Sequence, residues 1–129
     1  LVRRGADRVV ISLPGGQRFQ PGSAQPIDGA REAISAIGGL LRQIDNAVIV
    51  AGHADPTGSD AQANWNLSLA RAAQVAGLLR SAGYEAQITV TGHGASRFGD
   101  LPADLPREQR LSLARRTDIV VLDHGGSGR

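Results

Sequence analysis

The sequence predicts an α/β domain in the order β-α-β-α-β-(α)-β, with helices packed on a sheet. Short runs rich in apolar and β-branched residues recur at 8–13, 47–51, 87–91 and 117–123, as strands do. Between them lie stretches whose apolar residues recur every three or four positions, the spacing of an amphipathic helix. Gly, Pro and Asp clusters separate the two kinds of segment. At 129 residues, with no internal repeat, the chain is one domain over 1–129, large enough to bury a core. That core is expected to run from about residue 8 to 123, with flexible ends.

The first strand is expected over Arg8–Leu13, where Val9, Val10 and Ile11 supply β-branched content. Pro14-Gly15-Gly16 ends it, and a polar loop follows through Phe19, Gly22 and Pro26. From Ile27 the positions Ile27, Ala30, Ile34, Ile37, Leu41 and Ile44 mark one helical face, weakened by Gly38-Gly39. Ala47–Ala51 is a continuous apolar run, as in a buried central strand. A second helix should start at Ser59 or Asp60, run through Leu67, Val75, Leu78 and Leu79, and stop at Gly83. Gln87–Thr91 reads as a strand closed by Gly92-His93-Gly94. After a loop crossing Pro102 and Pro106, Glu108–Arg115 reads as a short helix and Thr117–Asp123 as the last strand. Gly125–Arg129 reads as a flexible tail. Strand–helix–strand units of this length favour parallel neighbouring strands. In such sheets ligands collect beyond the carboxyl ends of the strands, where the loops 52–58 and 92–94 fall.

Composition narrows the function. The chain has no Cys, which removes disulfides, thiolate metal sites and thiol nucleophiles. All 14 Lys/Arg positions are Arg, a bias that a GC-rich genome explains. The arginines are scattered and the net charge is only +2, while two Phe, one Tyr and one Trp give no stacking platform for nucleic acid. No stretch approaches the roughly 18 apolar residues of a membrane span. The chain opens at Leu1 without a signal segment, so any export signal or membrane anchor is expected upstream of it. No Ser sits in a Gly-x-Ser-x-Gly turn, and no catalytic residue is expected.

The most informative stretch is Gly52-His53-Ala54-Asp55-Pro56-Thr57-Gly58, followed by Asn64-Trp65-Asn66-Leu67-Ser68-Leu69-Ala70-Arg71-Ala72. It resembles the signature of the OmpA-like peptidoglycan-binding domains, which read Gly-His-Thr-Asp, then a Gly, then Asn-x-x-Leu-Ser-x-x-Arg-Ala. Phe19-Gln20-Pro21-Gly22-Ser23-Ala24 is similar to the family's Phe-x-x-Gly-Ser-Ala. Gly92-His93-Gly94 matches its Gly-x-Gly, and Arg115-Arg116 stands where it has Asn-Arg-Arg. The resemblance thus covers nearly the whole chain. It departs at Ala54, where the family has Thr, at Ala114, where it has Asn, and in one extra residue between Asp55 and Asn64. The form Asn-Trp-x-Leu-Ser inclines towards flagellar stator B subunits and type VI secretion anchors.

The resemblance implies one mixed sheet, a sandwich with the helices packed on it, and non-covalent binding of peptidoglycan without a cofactor. It implies a periplasmic place in the envelope of a Gram-negative bacterium, and a weak homodimer at most. The physics of its key pair can be stated from the residues. A carboxylate (Asp55) and a guanidinium (Arg71) facing one cleft can hold a zwitterion, the first taking an ammonium and the second a carboxylate in a fork. The amino-acid end of meso-diaminopimelate in the stem peptide is such a zwitterion. Alternatively, Asp55 and Arg71 pair with each other and pin loop to helix. Asn64 is expected to fix the loop or touch ligand, Arg115 to stand near the ligand, and Thr57 to belong to the binding loop. Two rival readings remain: a metal-dependent hydrolase using His53, Asp55 and His93, and an adaptor that takes a peptide in the same cleft.

Overall fold

A computed structural model describes residues 2–4, 8–14, 19, 24–44, 46–56 and 60–122. Thr57 and the expected tail Gly125–Arg129 lie outside the described residues, as does Asp123, assigned from the sequence to the last strand. The strands are β1 (Val2–Arg4), β2 (Arg8–Pro14), β3 (Val48–His53), β4 (Ile88–Gly92) and β5 (Arg116–Leu122). The helices are α1 (Asp28–Leu41), α2 (Ala61–Ser81) and α3 (Arg107–Ala114), with a 3₁₀ turn at Phe98–Asp100.

The strands form one mixed sheet in the order β1-β2-β5-β3-β4. Only β3 and β4 run parallel as neighbours; β1–β2, β2–β5 and β5–β3 are antiparallel. The expectation of parallel neighbours therefore holds for β3–α2–β4 and fails for β2–α1–β3. The last strand enters between β2 and β3, antiparallel to both. A crossover pattern in sequence reports strand direction, not whether a later strand will fill the gap between its ends. β1, invisible to periodicity because it is three residues long and two of them are Arg, pairs with Val9–Ile11 at the edge.

Side chains alternate across the sheet. Leu13, Val48, Val50 and Ile119 point to the helices and meet Ala30, Ile34, Leu41, Ala72, Val75 and Leu79 in one buried cluster. Ser12, Ala51, His53 and Asp118 take the opposite face, with Ser12 paired to Asp118 and Ala51 to Asp118 across the ladders. On α1 the buried positions are Ala30, Ile34, Gly38 and Leu41. The helix stops before Ile44, which is exposed. Gly38, which weakens the helix on propensity alone, has a tertiary reason. A Cβ there would lie 2.7 Å from that of Ala82 and 3.2 Å from the Leu79 backbone, so glycine lets α1 close on α2.

Helix α2 begins where the Asp60 carboxylate accepts from the backbone N–H groups of Gln62 (3.0 Å) and Ala63 (3.2 Å), which fixes the cap at Asp60 rather than Ser59. It ends in a Schellman turn: Tyr84 N–H donates to Leu79 O at 3.1 Å and Gly83 N–H to Arg80 O at 3.0 Å. Gly83 takes the required left-handed conformation, φ 103°. The turn delivers Tyr84 into the core, where its hydroxyl donates to Asn46 O.

Candidate functional site

The site lies at the C-terminal end of β3, and two glycines set its geometry. Gly52 and Gly92 are register partners on β3 and β4. A Cβ on Gly52 would sit 1.9 Å from Ser68 O, and one on Gly92 2.8 Å from Leu69 Cβ. Only glycines here let the α2 backbone lie directly on the strand ends. Ser68 then locks the contact: its Oγ donates to Trp65 O at 2.9 Å and accepts from Gly94 N–H at 3.0 Å. Gly94 O in turn accepts from Ala54 N–H at 2.7 Å. The Gly-His loops after β3 and β4 are thereby tied to each other and to the start of α2.

Asp55 leaves this frame two residues beyond β3. It is buried, and its Oδ2 accepts from Arg115 Nη1 at 2.5 Å. Arg115 follows α3 directly and keeps 42% of its side chain exposed, so this is a half-open ion pair rather than a sealed one. Asn64 Nδ2 approaches Asp55 O at 3.5 Å, at the outer limit of a hydrogen bond and in the loop-fixing sense expected of it. Two turns along α2, Arg71 lays its guanidinium over the Phe19 ring, 5.0 Å from the centroid. Burial pushes the Arg71 pKa below its ordinary value, and it remains a cation. The structure thus brings Asp55, Asn64 and Arg115 together at one strand end and seats Arg71 against Phe19.

A second polar group occupies the opposite face of the sheet. Asp118, buried in the middle of β5, accepts from Ser12 Oγ at 2.7 Å and Arg116 Nε at 3.1 Å. His53 Nε2 stands 3.6 Å from its Oδ2. The His53 and His93 rings stack with centroids 4.8 Å apart. The two imidazoles therefore stack, with His53 beside Asp118 of β5 and His93 Nε2 3.3 Å from Thr91 Oγ1, while Asp55, two residues past His53, turns its carboxylate to Arg115. Among the described residues, no three of His, Asp or Glu gather as metal ligands. The reason is strand geometry: β3 runs through His53 and Asp55 lies beyond it in the loop.

The match to known proteins follows this geometry. The OmpA family pattern matches residues 18–117. The chain belongs to the OmpA family. Among solved structures it is similar to the cell wall anchor of the type VI secretion system from Pseudomonas aeruginosa. Identity there is 28%, with 95% of this chain and 87% of that one covered at a TM-score of 0.78. A MotB-like protein from Desulfovibrio vulgaris is 22% identical over 99% of this chain and 81% of that one, at a TM-score of 0.80. The periplasmic domain of Helicobacter pylori MotB is 19% identical over 97% and 83%, at a TM-score of 0.77. These last two are likenesses of fold. No curated protein sequence matches. The inclination towards stator and secretion anchors drawn from Asn-Trp-x-Leu-Ser thus meets the same relatives.

As an OmpA-family site it holds residues that sequence reasoning passed over. Phe19 is the platform under Arg71, read beforehand only as part of a motif. Ser68 is a fully buried fastener between Trp65 and Gly94. Asp118 had a signal: a carboxylate inside the apolar run Thr117–Leu122 must find partners or stay out of the sheet. Thr57 lies outside the described residues.

The histidine pair gives the OmpA-family fold an acid weakness. Burial, then the Arg116 charge, lowers the His53 pKa to about 4 against the opposing pull of Asp118, with His93 and Arg97 lowering it further. His93 is lowered by burial and by Arg97 and Arg116. His53 is therefore neutral when folded, and the unfolded chain binds its proton first, near pH 6.5. Its contribution to stability is complete above about pH 6.5 and falls away as pH drops towards 4, by about 3 kcal/mol in all. Urea midpoints at pH 7, 5.5 and 4 should fall steeply in the parent and less in His53→Gln. Equal slopes in the two would contradict this assignment.

Proposed function

We propose that this domain holds peptidoglycan non-covalently and anchors an envelope protein or complex to the cell wall, in the periplasm of a Gram-negative bacterium. The observation that carries the reading is the placement of Asp55. A buried carboxylate ends β3 beside Asn64, with Arg115 on one oxygen, in a chain of the OmpA family. The 28% identical relative, described as a cell wall anchor, supports the same role.

In this reading the ligand is the diaminopimelate of the stem peptide. Asp55 takes the ammonium of the ligand, Arg71 takes its carboxylate in a fork, and Arg115 leans between Asp55 and that carboxylate. The Phe19 ring under Arg71 holds the guanidinium plane in place. Asn64 fixes the loop that carries Asp55. Two or three charge-assisted hydrogen bonds at about 1.5–3 kcal/mol each give modest affinity for one stem peptide. Many copies on one polymer multiply retention. The role is binding without turnover and needs no cofactor. Among the described residues no helix is long and apolar enough to cross a membrane.

Co-sedimentation with sacculi that carry meso-diaminopimelate tests the reading. The parent should pellet with the sacculi. Asp55→Asn and Arg71→Ala should each stay in the supernatant, with thermal transitions within a few degrees of the parent. A parent that stays soluble, or variants that pellet like it, would contradict the proposal.

A further inference from the structure

Trp65 is the one tryptophan of the chain and, among the described residues, its one well-exposed aromatic. Tyr84 and Phe19 are buried, and Phe98 lies under the guanidinium of Arg110, 5.4 Å from its ring centroid. Trp65 is 45% exposed, and Leu69, one turn along α2, is 39% exposed. An indole left facing water forgoes burial energy that a ligand laid against it would recover.

The position of Trp65 is set by the contacts that build the site. Its carbonyl accepts from Ser68 Oγ, which accepts from Gly94 N–H, and Gly94 O accepts from the N–H of Ala54, the neighbour of Asp55. Gly94 packs on the Trp65 backbone so closely that a Cβ there would lie 3.4 Å from Trp65 Cα. Asn64, the preceding residue, reaches Asp55 O. Trp65 and Asp55 therefore share one end of the molecule through a short chain of hydrogen bonds. The rotation of about 100° per helical residue turns the indole to the flank away from Asn64.

We propose that Trp65 forms a second subsite, which takes the apolar face of a pyranose of the glycan strand while the Asp55 site holds the stem peptide. The inference rests on the peptidoglycan reading. Three extended residues span about 10 Å, so a site that grips the third residue of a stem has the sugar bearing that stem within reach. A pyranose presents C–H groups on one face, and the indole face carries the negative end of its quadrupole. The two surfaces are flat, of similar size and electrostatically matched. Leu69 extends the same apolar flank.

The test titrates the 129-residue chain with two ligands cut from meso-diaminopimelate peptidoglycan, the free stem tripeptide and the disaccharide tripeptide. Calorimetry gives affinity, and the single tryptophan gives a fluorescence signal of its own. The disaccharide form should bind about 3- to 10-fold tighter and shift the Trp65 emission. Trp65→Ala should bind the free tripeptide as the parent does and lose that advantage, and Trp65→Tyr should keep part of it. If Trp65→Ala retains the advantage, or the sugar leaves the emission unchanged, the subsite is wrong while the stem-peptide site stands. If the parent binds neither ligand, the peptidoglycan reading falls and this inference with it. A dimer in light scattering that Trp65→Ala dissolves would assign the indole to a second copy and overturn the sugar subsite.

Discussion

Replacing Gly52 by Ala should destabilise the domain by about 3–5 kcal/mol or prevent folding. The added Cβ would stand 1.9 Å from Ser68 O and 2.7 Å from Ser68 C, and both are backbone atoms that no rotamer change can move. Relief would require α2 to lift off β3. That would break the bond from Gly94 N–H to Ser68 Oγ and expose Val75 and Leu79, which are fully buried. Gly92→Ala meets Leu69 Cβ at 2.8 Å and Leu69 Cα at 3.0 Å and should fall in the same direction by less, because the overlap is smaller than the 1.9 Å approach at Gly52. Gly39→Ala is the control. Nothing lies within 4 Å of its added Cβ, and a glycine inside a helix with open space around it gains about 0.5–1 kcal/mol on becoming alanine. In thermal melts of a chain this size, Gly52→Ala should drop Tm by about 10 °C or more while Gly39→Ala raises it slightly. A Gly52→Ala variant that melts within a few degrees of the parent would show that the helix does not rest on the strand ends.

The same glycines show how much was legible in the sequence. Gly52 and Gly92 are readable as loop signals next to strands, but the helix that presses on them is a tertiary fact. Gly38 reads as a weak point of α1 because propensity carries no knowledge of Ala82 and Leu79 across the gap. The strands β2 to β5 and the helices α1 and α2 are legible because each carries an apolar run or an apolar period, and α3 because a Pro-rich loop and the last strand bracket it. β1 is not, being three residues long and held by pairing alone. The antiparallel insertion of β5 between β2 and β3 follows from no local pattern, since it joins residues such as Ile119 and Val50 that lie far apart along the chain. At the site, Asp55, Asn64 and Arg115 are candidates through the resemblance to the OmpA-like signature, and the structure places the three near one another. Asp55 and Arg71 read as two charges facing one cleft, with pairing to each other as the alternative. The ion pair of Asp55 with Arg115 at 2.5 Å joins residues sixty apart, where spacing carries no information. The seat of Arg71 on Phe19 could not be read either, because a cation–π contact between distant segments leaves no periodic trace.

The stem peptide itself should be read by charge, and this carries the largest expected effect on binding. In the proposed reading the site takes an ammonium and a carboxylate on one carbon. A stem with meso-diaminopimelate supplies both. A stem with lysine at that position supplies the ammonium alone, and amidation of diaminopimelate removes the anionic carboxylate. In both cases Arg71 would face the ligand without a fork partner. Loss of that charge-assisted fork to the ligand weakens binding by about 1–3 kcal/mol, or about 5- to 150-fold. Arg71→Ala should bind the three stems about equally weakly, because the discriminating charge is gone. Raising salt should narrow the differences in the parent, since the site is open to solvent along Arg115.

The most direct measurement is a calorimetric titration of the parent chain, at one salt concentration, with the three tripeptides carrying meso-diaminopimelate, amidated diaminopimelate and lysine. Binding should be tightest for the first, with the other two weaker by about 5-fold or more. Equal affinity for all three would contradict the two-charge mechanism and assign recognition to the peptide backbone or the sugar.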